Sequence, residues 1–146
     1  MKFKGRIALA LAAVPAMLAL ATAPASAAGG HYDLTGKEGD IAGAWARGDY
    51  WQASDGRWHL NGWLKDTGNN DGKGAAFRLK ATYADGGTRY EEVWNTHGYG
   101  AEVQIGEFNF ASSLRGLQLQ ECILVKRADG NIEVGYCSGY TYNIGV

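Results

Sequence analysis

The segment "ECILVKRADGNIEVGYC" runs from Glu121 to Cys137 and contains both cysteines of the 146-residue chain. Apolar and polar residues alternate on either side of its Asp-Gly pair, a pattern typical of two antiparallel strands joined by a tight turn. If residues 128–131 form a four-residue loop, Cys122 lies directly opposite Cys137, at a non-hydrogen-bonded pair where side chains approach closely. The sequence therefore predicts a hairpin closed by a Cys122–Cys137 disulfide.

The two cysteines fit a structural disulfide better than a redox pair or a zinc site. A redox pair normally has the spacing C-x-x-C, and a zinc site needs about four ligands, so neither fits these two cysteines. In a secreted chain, an even number of cysteines favours a structural disulfide.

The same register assigns the side chains of this hairpin to two faces. The predicted core face carries Ile123, Val125, Ile132, Val134 and Tyr136, and the cysteine face carries Lys126 and Glu133.

Residues 1–27 predict export from a bacterial cell. A basic start precedes the apolar run 7–20, which is shorter than the ~20 residues of a typical membrane-spanning helix. The run ends at Ala25-Ser26-Ala27, which has the small-x-small form of a signal-peptidase site. We therefore expect a signal peptide cleaved near Ala27, an extracellular protein and no membrane span.

Residues 28–146 have the composition of one all-β domain. Both prolines lie in residues 1–27, so turns depend on Gly, Asn and Asp. Nearly every apolar segment alternates with a period of two. We predict a single antiparallel β-sandwich, jelly-roll-like, of about seven or eight strands, with a small β-barrel as the alternative. The mildly acidic composition argues against binding to nucleic acid.

An upstream hairpin carries the candidate binding site. Residues 41–52 and 57–66 alternate on either side of the turn "ASDG". A loop of two or four residues places Tyr50 and Gln52 beside His59, whereas a loop of three or five residues flips the first strand. With the even loop, one aromatic and polar face is predicted, formed by Tyr50, Gln52, Arg57, His59, Asn61 and Trp63.

Such a face has the chemistry of a sugar-binding surface. An exposed aromatic ring stacks on the apolar C–H face of a pyranose, while amide and guanidinium groups bond to its hydroxyls. In the competing interpretation, Trp63 packs beneath a neighbouring loop and His59 is merely solvated. The exposure of Trp63 distinguishes the two.

A second hairpin is predicted from residues 75–83 and 88–95 around the turn "ADGG". Lys80 and Glu91 are expected to pair across its strands. Further along the chain, the alternation changes phase at Gly106, which predicts a β-bulge. The expected core face of the second hairpin comprises Phe77, Leu79, Ala81, Tyr83, Tyr90 and Trp94.

Two loops are further candidates. The segment "KDTGNNDGKG" offers Asp66, Asn69 and Asp71 as oxygen ligands for calcium, although it does not fit an EF-hand, and a solvated glycine-rich loop is the other interpretation. His97 lies in the predicted loop "THGYG", without a partner at a telling spacing.

Catalysis has weak support in the sequence. No serine has the base and orienting group that nucleophilic catalysis needs. Glu91, Glu102 and Glu107 are the candidate carboxylates for glycoside hydrolysis, which needs two carboxyls ~5–10 Å apart across a cleft.

Together these features predict a small secreted binding protein that is not an enzyme and recognises polysaccharide or cell-wall glycan through the aromatic and polar strand face. The alternatives are a secreted protein-binding effector, such as a hydrolase inhibitor or an antimicrobial antagonist that uses the two loops, and a small glycan hydrolase. We expect no cofactor and no resident metal.

Overall fold

The structure, a computed structural model, describes residues 28–69 and 72–146, so the predicted signal peptide and Asp71 lie outside the described residues. The described residues form ten β-strands and no helix, which confirms the all-β prediction but exceeds the predicted seven or eight strands. The strands are β1 (Gly29–Asp33), β2 (Ala44–Gln52), β3 (Trp58–Asp66), β4 (Gly74–Tyr83), β5 (Thr88–Asn95), β6 (Glu102–Gln104), β7 (Phe108–Phe110), β8 (Leu114–Lys126), β9 (Ile132–Cys137) and β10 (Tyr142–Gly145).

The strands form two antiparallel sheets. Sheet A has the order β1-β2-β3, and β3 then pairs with β6 along one half and with β7 along the other. Sheet B has the order β5-β4-β8, and β8 pairs in turn with β9 and β10. Buried side chains from both sheets pack into one core, so the arrangement is sandwich-like, and the described strands do not close into one barrel. The jelly-roll connectivity is not confirmed.

Tyr32 of β1 lies at the centre of this core. Its ring is fully buried and stacks on Phe77 of sheet B, with ring centroids 6.0 Å apart. Its hydroxyl donates a hydrogen bond to the Asn61 carbonyl over 3.0 Å. The ring fits because Gly48 and Gly62 face each other across β2 and β3, and a Cβ on Gly62 would lie 2.3 Å from the Tyr32 hydroxyl oxygen.

One turn recurs in three hairpins. Each loop has three residues ending in Asp-Gly, and the Gly N–H donates to the carbonyl of the residue before the loop. The Asp carboxylate accepts the N–H two residues further on, and the glycine has a positive φ of 81° to 87°. These features define the three-residue hairpin with a glycine bulge. The loops are residues 54–56, 84–86 and 128–130.

The odd loop length reverses the predicted faces of β2. Tyr50 lies opposite Leu60 and Gln52 opposite Trp58, so both side chains belong to the core-facing side of sheet A. The prediction that Tyr50 and Gln52 lie beside His59 is therefore wrong, because a change of one residue in loop length flips every side chain of a strand.

The same three-residue loop also changes the predicted faces of the second hairpin. Phe77, Leu79 and Ala81 are buried as predicted. Tyr90 and Trp94, however, are 68% and 40% exposed on the outer side of sheet B, so their predicted core position is wrong. Tyr90, rather than Glu91, lies opposite Lys80.

In the cysteine hairpin, two irregularities compensate each other. The loop has three residues rather than the predicted four, so Lys126 faces Ile132. A second bulge at Gly135 then restores the predicted pairing of Cys122 with Cys137, and the disulfide is formed. Its sulfurs lie on the outer side of sheet B in a small apolar cluster with Ala76, Leu124 and Val134. The core-face prediction holds for Ile123 and for Tyr136, which lies opposite it and is 50% exposed. It is wrong for Ile132 and Val134, which lie opposite Lys126 and Leu124 on the outer side.

The predicted bulge at Gly106 is confirmed. Residues 105–107 lie opposite only residues 61–62 of β3, because the pairing shifts by one residue between β6 and β7. Gly106 has a φ of 84°, and Ile105 fills the core while its N–H donates to the Gly62 carbonyl. None of the described segments is a helix able to cross a membrane.

Glu121 of β8 connects sheet B to β2 and to the segment that precedes β2. Its fully buried carboxyl accepts hydrogen bonds from the Ala46 N–H over 2.6 Å and the Ile41 N–H over 3.0 Å. Burial raises the pKa of Glu121 to about 8, and the neighbouring Asp40 carboxylate also raises it, against the effect of the two hydrogen bonds. The folded protein therefore binds this proton more tightly than the unfolded chain does.

We expect Glu121→Gln to flatten the pH dependence of the free energy of unfolding. Because the pKa of Glu121 is raised in the folded state, its protonation stabilises the folded protein. This stabilisation is complete below the unfolded pKa of roughly 4.3 and is lost as the pH rises through about 8. At ~1.4 kcal/mol per pKa unit, the original protein should lose several kcal/mol more than the variant between ~pH 5 and ~pH 8 in urea unfolding. Glu38→Gln, an exposed change in the same connection, is the control. Equal slopes for Glu121→Gln and Glu38→Gln would contradict the assignment.

Gly130→Ala tests the turn itself. A Cβ at Gly130 or at Gly139 meets no atom within 4 Å, but only Gly130 has a positive φ, of 87°. We expect Gly130→Ala to lower the free energy of unfolding by ~1 kcal/mol, because alanine is strained in the left-handed region. Gly139→Ala should change it little. A loss of the same size in both variants, measured by urea unfolding, would argue against the glycine bulge.

Candidate functional site

The outer face of sheet A carries the aromatic and polar side chains of alternate residues in β2 and β3. On this face Arg47 lies opposite Trp63, Asp49 opposite Asn61 and Trp51 opposite His59. The structure therefore brings His59, Asn61 and Trp63 together as predicted, with Trp51 and Asp49 in the places expected for Tyr50 and Gln52.

A shallow groove of about 340 Å³ crosses this face, and we call it the Trp63 groove. Trp63 lies at the side of this groove and is 42% exposed, so the interpretation in which Trp63 packs beneath a loop is wrong. Backbone of Gly48 and Gly62 lines the groove between its polar side chains. Those side chains are Asp49, Asn61, Gln104 and Glu107, from β2, β3, β6 and the bulge after β6.

Trp63 is the aromatic ring that this face leaves accessible. Trp45 is half-buried, with the Arg47 guanidinium 4.2 Å from its ring centroid and its Nε1 donating to Asp33. Trp51 is also half-buried and stacks on His59, with ring centroids 5.2 Å apart and planes 11° apart. Each of those two rings is thus already in contact with a protein side chain.

His59 holds Glu107 at the groove. Its Nδ1 lies 2.8 Å from Glu107 Oε1, and its ring is fixed against Trp51. Since the His59 side chain is only 13% exposed, the interpretation of a merely solvated histidine is wrong. A second pair of this kind joins His31 Nδ1 to Asp49 Oδ1 over 3.2 Å, so a histidine contacts each carboxylate of the groove.

The remaining predicted residues do not line the groove. Arg57 is exposed beside the first turn, and its Nε donates to Asn109 Oδ1 over 2.5 Å. Tyr50 packs against Trp58 with ring centroids 6.4 Å apart, and Gln52 Nε2 donates to the Gly56 carbonyl. Tyr50 and Gln52 therefore support the core and the turn.

Sequence reasoning missed Asp49 and Gln104, and it named Glu107 only as a candidate carboxylate for hydrolysis, not as a neighbour of Trp63. The sequence does contain a signal for Asp49. The Asp-Gly turn recurs along the chain, and a loop of three residues at this turn places Asp49 on the outer face. Gln104 and Glu107 have no such signal, because pairing between distant segments brings β6 and the bulge against β3.

The loop candidates lie elsewhere. His97 is exposed between β5 and β6, and its N–H donates to Asn95 Oδ1 over 3.1 Å. Asp66 is buried and accepts the Gly68 N–H over 2.9 Å. In residues 28–69 and 72–146, no group of three or more His, Cys, Asp or Glu side chains has an arrangement suited to a metal ion.

The candidate carboxylates are held by basic side chains in different sheets. Glu91 of sheet B accepts a hydrogen bond from Arg89 Nε over 2.6 Å, whereas Glu102 of sheet A accepts one from Arg47 Nη1 over 3.1 Å. Glu107, with its His59 partner, is the one of these three that lines the groove.

Comparison of the chain with protein-family models, with curated proteins and with solved structures found no match.

Proposed function

We propose that the protein is a small secreted, non-catalytic binding protein that recognises extracellular glycan at the Trp63 groove. The observation that carries this proposal is the 42% exposed ring of Trp63 beside a groove lined by two amides and two carboxylates. Secretion follows from the predicted signal peptide in residues 1–27.

The side chains around the groove match the surface of a sugar. The Trp63 indole offers a flat apolar face for the C–H side of a pyranose. The amides of Asn61 and Gln104 can each donate to one hydroxyl and accept from another, and the carboxylates of Asp49 and Glu107 can accept hydrogen bonds from hydroxyls. Since no lysine or arginine is among the described residues that line the groove, its charge favours neutral or amino sugars.

One side of the groove is organised before a ligand binds. Glu107 pairs with the largely buried His59, which stacks on Trp51, whereas both members of the Asp49–His31 pair are exposed. Side chains that are already ordered lose less conformational entropy on binding. The groove is shallow and lies along a sheet face, a shape that suits the interior of a polysaccharide chain.

Trp63→Ala tests this site. We expect it to reduce retention on the preferred neutral glycan about two- to tenfold, because one stacked ring contributes ~0.5–1.5 kcal/mol. The measurement is affinity electrophoresis with soluble β-glucan, xylan and glycol chitin, and co-sedimentation with insoluble chitin and peptidoglycan. Trp94→Ala is the matched control, because its ring is 40% exposed on the opposite sheet and should leave retention unchanged.

Other outcomes would replace the proposal. Equal retention of Trp63→Ala and the original protein would exclude the groove as the glycan site. Capture of a stoichiometric protein from culture supernatant, without glycan retention, would favour the protein-binding effector. Release of soluble sugar that is lost in Glu107→Gln would favour the small hydrolase.

A further inference from the structure

A second and larger groove, of about 420 Å³, crosses the outer face of sheet B. We call it the Tyr90 groove. Two rows of side chains cross the sheet within it, and each row takes one residue from β5, β4 and β8. The rows are Tyr90, Lys80 and Gln118, and Glu92, Arg78 and Gln120.

Tyr90 gives this groove an accessible aromatic ring beside a cation. The ring is 68% exposed, and Lys80 Nζ lies 5.8 Å from its centroid. The ring and the ammonium belong to directly opposed residues of neighbouring strands, so their spacing is set by the backbone.

The Tyr90 groove is lined by two cations, Arg78 and Lys80, and by two carboxylates, Glu91 and Glu92, so its charge depends on how these groups are paired. Glu92 accepts one hydrogen bond from Arg78 Nε over 2.5 Å and another from Trp94 Nε1. Glu91, at the border of the groove, is paired with Arg89. Both carboxylates are therefore balanced by an arginine, whereas no ion pair within residues 28–69 and 72–146 involves Lys80.

The third strand supplies oriented amides. Gln118 Nε2 donates to Asn143 Oδ1 over 3.2 Å, and Gln120 Nε2 donates to the Ser138 carbonyl over 2.6 Å. An amide has two N–H groups and a carbonyl oxygen, so each glutamine keeps capacity for a sugar hydroxyl. Gln118 lies two strand spacings from Tyr90, ~10 Å, a span that accommodates two linked pyranose rings.

We propose that the Tyr90 groove binds an acidic glycan whose pyranose rings carry carboxylates. The sugar ring stacks on Tyr90, the carboxylate lies at the Lys80 ammonium, and hydroxyls bond to Gln118 and Gln120. If the Trp63 groove also binds glycan, as proposed above, the protein joins a neutral chain on sheet A to an acidic chain on sheet B.

The test compares polygalacturonate with its fully methyl-esterified form, which keeps the sugar rings but lacks the charges. Affinity electrophoresis should show at least about tenfold stronger retention by polygalacturonate, with a dependence on salt concentration. Tyr90→Ala should weaken retention about two- to tenfold, and Lys80→Met should remove the preference for the charged polymer. Tyr99→Ala, at a 59% exposed tyrosine in a loop, is the control that should change neither.

Each result supports or overturns the proposal. Equal retention by the two polymers would overturn the acidic class of ligand, and unchanged retention of Tyr90→Ala would overturn the site. A dimer in sedimentation analysis that is lost in Tyr90→Ala would show that the face binds a second copy of the chain instead. Trp63→Ala should leave polygalacturonate retention unchanged, and Tyr90→Ala should leave neutral-glycan retention unchanged, so the two sites fail separately.

Discussion

The left-handed glycine at the third position of each Asp-Gly loop is the constraint on which both outer faces depend. A residue with positive φ closes a loop of three residues, and that odd number determines which side chains of the two joined strands point outward. In the first hairpin it places Trp51 and Asp49 outside, and in the second it places Tyr90 beside Lys80. The residues that β2 and β3 give to the Trp63 groove, and those that β4 and β5 give to the Tyr90 groove, are therefore selected by turns where no groove residue lies.

Much of the architecture could be predicted because it depends on local patterns. Period-two alternation predicted the strands of all three hairpins, and the phase change at Gly106 predicted the bulge. The disulfide was predicted correctly although its loop was not, since the extra residue at Gly135 offsets the shorter turn. Strand β1 was missed because "GGHYD" has a single large apolar residue, Tyr32, and no visible period.

The candidate site was only partly predictable, for two physical reasons. The first is loop parity, which placed Tyr50 and Gln52 on the wrong face and Tyr90 and Trp94 in the core by the same error. The second is distance along the chain, since Gln104 and Glu107 reach Trp63 only through pairing between β3 and the segments around Gly106. His59, Asn61 and Trp63 were correctly grouped because they alternate within one strand.

The pairing of Gly48 with Gly62 above Tyr32 separates two demands on the same strands. Toward the interior, these glycines are committed to the Tyr32 ring, and any side chain there meets its hydroxyl at 2.3 to 2.8 Å. Toward solvent, the same positions present only backbone, so the character of the Trp63 groove is set by the residues around its border. Those border residues do not fill the core, and new ligand preferences can therefore arise by exchanging them while the fold is inherited unchanged.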